Sequence, residues 1–139
     1  MQDTHSKPAR ILVVDDEAHI VHVVALKLRN AGFQVETAGD GDEALTLLQS
    51  RGIDLVVTDL QMPMMSGIEL ARAMSKDAVL ANIPVLMLTA RGHLLRDGEA
   101  DSVHIARVVH KPFSPRALVA EIEQLLASQR DRDTHRRVA

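Results

Sequence analysis

Four apolar runs in this 139-residue chain end in polar side chains able to do chemistry together. Residues 11–14 lead into Asp15 and Asp16, and residues 55–57 into Asp59. Residues 83–88 lead into Thr89 and then Ala90, and the run through Val108 and Val109 ends at Lys111 and Pro112. Three carboxylates gathered at one place repel one another and raise their own pKa values unless a cation intervenes. Mg²⁺ suits such a place, because it takes one or two carboxylates, keeps several waters and leaves positions for phosphate oxygens. Lys111 adds a hydrated point charge suited to pairing with a phosphate. Thr89 can donate a hydrogen bond to a phosphoryl oxygen, and Ala90 leaves space beside it. The set fits a site that holds a transferring phosphoryl group. No GxxxxGK[ST] or GxGxxG is present to cradle a nucleotide, so a carboxylate is the candidate acceptor, forming an acyl phosphate. Asp59, a single acid at the end of a central run, is the better acceptor. The Asp15–Asp16 pair is better placed to hold metal.

These residues act together only if the elements carrying them converge. "RILVVDDE" is apolar without alternation, as in a strand covered on both faces. The period then changes: Val21, Val24, Ala25 and Leu28 fall at helical spacing, and Gly32 stands at a left-handed stop. "FQVETA", "IDLVVTD", "IPVLMLTA" and "VHIARVVHKP" predict four further strands. "GDEALTLLQSRG", "SGIELARAMSK" and "SPRALVAEIEQLLAS" predict helices between and after them, the last with Ser114 as N-cap and Pro115 at the first helical position. "RGHLLRDGEADS" has poor helix propensity and predicts a short, mobile fourth helix. This alternation implies right-handed crossovers and an α/β fold: a doubly wound five-stranded parallel sheet, flavodoxin-like in order 2-1-3-4-5, with helices on both faces. In such sheets ligands bind beyond the carboxyl ends of the strands, where the polar residues fall.

Composition narrows the field further. The chain has 46% apolar and 25% charged residues, ordinary globular usage for one domain. Two Phe are its only aromatics and its net charge is −3, which offers neither a stacking platform nor a basic footprint for direct nucleic-acid binding. It has no Cys, which excludes disulfides and thiol catalysis and suits a cytoplasmic location. No apolar run approaches a membrane span, and the N-terminus lacks a signal-peptide core. Residues 1–8 read as a tail, 9–127 as the domain and 128–139 as a polar, frayed tail.

"ILVVDDE", "DLVVTDLQMPMMSG", "PVLMLTA" and "HKPF", in that order, resemble the receiver domain of two-component response regulators, the chemotaxis-regulator-like family, over roughly residues 9–127. The resemblance implies Asp59 as phosphoacceptor, Asp16 as direct Mg²⁺ ligand together with Asp59 and the backbone carbonyl of Gln61, and Asp15 acting through water. It implies Thr89 as the switch hydroxyl, Lys111 as the phosphate-pairing lysine, a cis Lys111–Pro112 bond, and Met62–Pro63 and Gly67 as the turn after the acceptor. Gln61 and Arg91 fall where the family flanks the path of attacking water. The implied donor is a histidine kinase or histidine phosphotransfer protein in a phosphorelay, and a phosphorylation-dependent dimer is a state the family admits. The chemistry is self-catalysed and Mg²⁺-dependent rather than that of an enzyme acting on others.

Three departures fall on the face used for output: Val108 stands where an aromatic is usual, "VHIARV" replaces the typical loop before it, and the fourth helix is poor. A degenerate receiver, acting through phosphorylation-independent protein contacts, is therefore the rival reading. A haloacid-dehalogenase-type phosphohydrolase fits less well, since Gln61 occupies the place of its second Asp and no cap is present. With no output domain after Ser128, the chain reads as a stand-alone receiver. Plain uses compete elsewhere. Asp16 could cap the first helix, and Thr89 could simply close a strand. His19 and His22 read as solvent-exposed, and His110 as pointing away from Lys111. Met62 reads as loop filling, Met64 and Met65 as a soft partner surface. Arg130, Arg132, Arg136 and Arg137 read as a solvated tail.

Overall fold

The structure, a computed structural model, describes residues 7–90 and 105–138, with side chains described through 129. Its elements in chain order are β1 (Arg10–Val14), α1 (Ala18–Asn30), β2 (Gln34–Ala38), α2 (Gly41–Ser50), β3 (Leu55–Asp59) and α3 (Gly67–Ser75). A short 3₁₀ turn (Leu80–Asn82), β4 (Val85–Thr89), β5 (Ile105–His110) and α4 (Pro115–Val138) follow. The expected fourth helix of the sequence lies outside the described residues. All four strand pairings are parallel and the order is β2-β1-β3-β4-β5, the expected topology.

The period-2 alternation of strands sorts the core into two layers. Ile11, Val13, Leu55, Val57, Leu86 and Leu88 face α1 and α4, meeting Val24, Leu28, Leu118 and Ile122. Leu12, Val14, Val56, Val85 and Met87 face the other way, against Ala44, Leu48, Ile68, Leu70 and Met74 of α2 and α3. Central strands β3 and β4 are buried along their whole length, while edge strands β2 and β5 are only partly covered. That explains why the central strands lack polar alternation.

Local signals set most boundaries. Ser66 and Glu69 form a reciprocal capping box at α3. Ser114 Oγ accepts from the Ala117 amide at 3.0 Å, as its sequence position predicts. Gly32 follows α1 with φ 102°. Two readings need correction. The helix read over residues 41–52 ends at Ser50, because Arg51 already leaves it in an extended conformation. The segment 128–138 is not a frayed tail in backbone terms: α4 continues to Val138, since residues 116–138 contain no Gly or Pro and are rich in helix formers. The 3₁₀ turn was unforeseen; Asp77 Oδ1 accepts from the Val79 and Leu80 amides and so starts it.

Met64 is the one non-glycine with positive φ among the described residues, at 70°, and it is 97% exposed. A side chain in the left-handed region clashes with its own backbone, and this one recovers nothing from packing. Met64→Gly should therefore stabilise the fold by about 1 kcal/mol, read as a higher denaturant midpoint at unchanged slope. An unchanged or lower midpoint would contradict that.

Candidate functional site

Strand register brings the predicted residues to one rim. Val14 pairs with Thr58, and Asp59 with Leu88, so the turn carrying Asp15 and Asp16 and the end of β3 lie side by side. Lys111 arrives by a less obvious route. Val85 pairs with Ile105 but Leu86 with Arg107, so Ala106 is an extra residue, a bulge in β5. The bulge advances the strand by one position, pairing Thr89 with His110. The Lys111 amide then donates to the Thr89 carbonyl at 2.8 Å. The Lys111–Pro112 peptide is cis, as the resemblance implied.

The side chains meet closely. Lys111 Nζ lies 2.7 Å from Asp59 Oδ1, a charge-assisted hydrogen bond, but 3.9 Å from Asp15 Oδ2. Asp15, Asp16 and Asp59 each bring one carboxylate oxygen within 4.8 Å of the others. Asp15 and Thr89 are 2% exposed and Asp59 7%, whereas Asp16 faces solvent. Asp16 does not cap α1: the N-cap is Glu17, without a side-chain cap, and it is Asp15 Oδ1 that accepts from the Glu17 amide at 3.0 Å. Asp15 Oδ2 is buried with no hydrogen-bond partner. Behind Asp59, the buried Thr58 hydroxyl donates to the Asp59 carbonyl at 3.0 Å, a support that no local sequence signal singles out.

Burial pushes the Asp15 carboxyl up to about 6 from 3.8. The Glu17 amide opposes this, Asp59 reinforces it by charge repulsion, and Lys111 opposes it. For Lys111, burial alone would lower the pKa. The hydrogen bond and charge of Asp59, then the charges of Asp15 and Glu17, outweigh that and hold it above 10.5. Among the described residues, three carboxylates thus face one ammonium, which is already committed to Asp59. An orphaned, buried carboxylate oxygen among close oxygen donors is what a hard divalent cation satisfies, and Mg²⁺ fits this donor set.

Other candidates fall outside the cluster. His19, His22 and His110 are exposed, and Gln61 lies on the surface just beyond Asp59. Val108 is half-buried beside its strand partner Met87, on the core layer that faces α2 and α3, where the family carries its aromatic. Met62 is buried and Met65 half-buried, so of the three loop methionines only Met64 presents itself to a partner. Arg91 and His104 lie outside the described residues. An apolar groove of about 560 Å³, flanked by His19, Ile20 and Val23 on one side and Pro112 and Phe113 on the other, opens beside Lys111. Among the described residues no helix is long and apolar enough to cross a membrane.

A doubly wound parallel sheet with acids, a hydroxyl and a lysine on its carboxyl rim defines the class. The response regulator receiver domain model matches residues 11–123, and the chain belongs to that family. It is 38% identical over 118 residues to the phosphate regulon transcriptional regulatory protein PhoB of Pseudomonas aeruginosa, covering 84% of this chain and 51% of that protein. It is 36% identical over 128 residues to the DNA-binding response regulator MtrA of Mycobacterium tuberculosis, covering 88% and 52%. The chain spans about half the length of these curated relatives. Among solved structures, chemotaxis protein CheY4 of Vibrio cholerae superposes with TM-score 0.80 at 34% identity, over 85% of this chain and 98% of that one. A CheY-like receiver domain from Methanospirillum hungatei gives TM-score 0.85 at 26% identity, over 91% and 99%.

The Asp15 shift has a signed consequence. A carboxyl whose folded pKa is raised binds more protons folded than unfolded. Its stabilising contribution is complete below 3.8 and is lost as pH rises through about 6. Asp15→Asn keeps the acceptor for the Glu17 amide and removes the charge. In metal-free protein at pH 7.5 it should raise stability by on the order of 2 kcal/mol, and the gain should vanish below pH 3.8. A thermal-melt series across pH measures this; a gain that persists at low pH would refute the assignment to charge burial.

Proposed function

We propose that this receiver domain is a phosphoacceptor switch: Asp59 takes a phosphoryl group from a histidine kinase or histidine phosphotransfer protein. The observation that carries the reading is the 2.7 Å approach of Lys111 Nζ to Asp59 Oδ1 beside Asp15, whose buried Oδ2 has no hydrogen-bond partner. An Asp59 oxygen attacks phosphorus, the bond from phosphorus to the donor's imidazole nitrogen breaks, and the electron pair leaves with the imidazole. The product is a mixed carboxylic–phosphoric anhydride on Asp59. Asp16, Asp59 and the Gln61 carbonyl, with Asp15 acting through water, would hold Mg²⁺, which would supply neutralising charge to the phosphoryl oxygens.

Within the chain itself, Lys111 leaves its ion pair with Asp59 and pairs with a phosphoryl oxygen, and the Thr89 hydroxyl donates to another. Both sit at the ends of neighbouring strands tied through the Lys111 amide and the Thr89 carbonyl. They move as one unit when charge is added between them, which biases two conformers of the domain. The apolar groove at Lys111 gives a protein donor a surface to approach. Transcriptional control and DNA binding belong by name to PhoB and MtrA. With a net charge of −3, this domain is not itself the nucleic-acid-binding element. We place it in the cytoplasm, with residues 9–127 as the receiver.

Acetyl phosphate with Mg²⁺ should add one phosphoryl increment, located on residues 54–67, and beryllofluoride should shift amide resonances around the rim. Both responses should be lost in Asp59→Asn. Thr89→Ala should keep the adduct and shrink the shifts. Gln61→Ala and Arg91→Ala should alter the adduct's lifetime. A folded, Mg²⁺-loaded protein that takes no adduct would instead be a degenerate receiver working through protein contacts.

A further inference from the structure

β2 contributes no polar group to the rim, yet the turn that follows it touches both acid-bearing loops. On one side the Asp15 amide donates to the Ala38 carbonyl at 3.2 Å, fastening the Asp15–Asp16 turn to the end of β2. On the other side Met65, from the loop after Asp59, lies directly over Gly41, the first residue of α2. A Cβ on Gly41 would sit 2.8 Å from Met65 Cγ and 2.9 Å from Met65 Cβ, with the sulfur closer still. The sulfur and Cγ can swing away by rotation. Cβ moves only with the backbone, so even one methyl group at position 41 forces a backbone shift on one side of this contact. Gly41 is not among the positive-φ residues; it supplies space, not an unusual backbone conformation.

Both ends of this contact are held. The α2 N-terminus is fixed by Asp40, which accepts from the Glu43 amide at 2.8 Å, and by Glu43, which accepts from the Gly39 amide at 2.7 Å. The acceptor loop is pinned at its far end by the Gly67 amide on the Leu60 carbonyl at 2.8 Å. A Cβ on Gly67 would meet the Asp59 carbonyl at 2.5 Å. Between Leu60 and Met65 lies Gln61, exposed, with its carbonyl among the proposed metal donors.

We propose that the β2–α2 turn, residues 38–41, is the spacer that sets the separation of the two acid-bearing loops, with Gly41 and Met65 as positioning residues. The consequence for metal binding rests on the proposed function; the coupling of turn to loop does not. Helix propensity and this geometry predict opposite outcomes for Gly41→Ala. Ala is the better helix former and should stabilise α2, whereas the spacer requires the acceptor loop to move.

The test is a cycle of Gly41→Ala, Met65→Gly and the double variant, read by amide resonances of the full chain, first metal-free and then titrated with Mg²⁺. Gly41→Ala should displace the amides of residues 60–66 and weaken Mg²⁺ about tenfold, as loss of support behind metal ligands does. In the Met65→Gly background the same substitution should cost nothing further, because the side chain it strikes is gone. Amides of 60–66 that stay in place in Gly41→Ala, or an equal effect in both backgrounds, would overturn the spacer. If Gly41→Ala fails to fold, Met65→Gly alone decides: it should move the same amides, and stationary ones refute the proposal. A wild-type chain that takes no beryllofluoride would defeat the proposed function, while the metal-free resonances would still decide the spacer.

Discussion

One ammonium among three carboxylates is the constraint on which this site depends. Lys111 can make one close ion pair, and it makes it with Asp59. Asp15 is left with an oxygen that is buried and without a hydrogen-bond partner. Burying a carboxylate oxygen without a hydrogen bond is costly, and a group so placed either takes up a proton or recruits a cation. The raised Asp15 pKa reflects the first escape, and the geometry of the three oxygens accommodates the second. The same shortage of positive charge makes the rim responsive. Under the proposed function, a dianionic group arriving on Asp59 would compete for Lys111, and the ion pair with Asp59 would have to reorganise.

The sheet is what makes such crowding sustainable. Asp59 and Thr89 lie at the ends of strands buried along their whole length, and Val14 leads straight into Asp15. Backbone ladders and two apolar layers hold these positions, so the carboxylates cannot drift apart to relieve their repulsion. Register carries equal weight. A slip of one residue turns every side chain to the opposite face, and the extra residue at Ala106 is such a slip, confined to one point. It lets β5 pair with β4 from Ile105 onward and still deliver Lys111 beside Thr89.

Much of this could be read from the sequence, for identifiable reasons. Continuous apolar runs marked the central strands because burial on both faces removes the need for polar alternation. Ser114–Pro115 and Gly32 marked helix ends because capping chemistry is local. Asp15, Asp16, Asp59, Thr89 and Lys111 could be grouped because parallel strands in a doubly wound sheet share one carboxyl rim. What stayed hidden depends on contacts distant in the chain. Nothing local distinguishes Ala106 as a bulge, or Asp15 rather than Asp16 as the buried member of the pair. The space over Gly41 is defined by Met65, twenty-four positions later. The reach of α4 to Val138 was missed for the opposite reason: a polar composition suggested a tail, although lack of apolar residues does not oppose helix formation.

The departures from the family pattern gain meaning from where they fall. Asp15, Asp16, Asp59 and Lys111 converge, and Thr89 ends the strand beside them. Val108 is another matter. It is half-buried beside its strand partner Met87 and has no ring to swing between two positions. A β-branched side chain has few rotamers and little reach, so a rearrangement begun at Thr89 cannot be passed along β5 by an aromatic flip. A backbone connection is present instead: the Lys111 amide on the Thr89 carbonyl ties the ends of β4 and β5 together. Under the proposed function, a change at the rim would act on this backbone link rather than on the turning of one side chain.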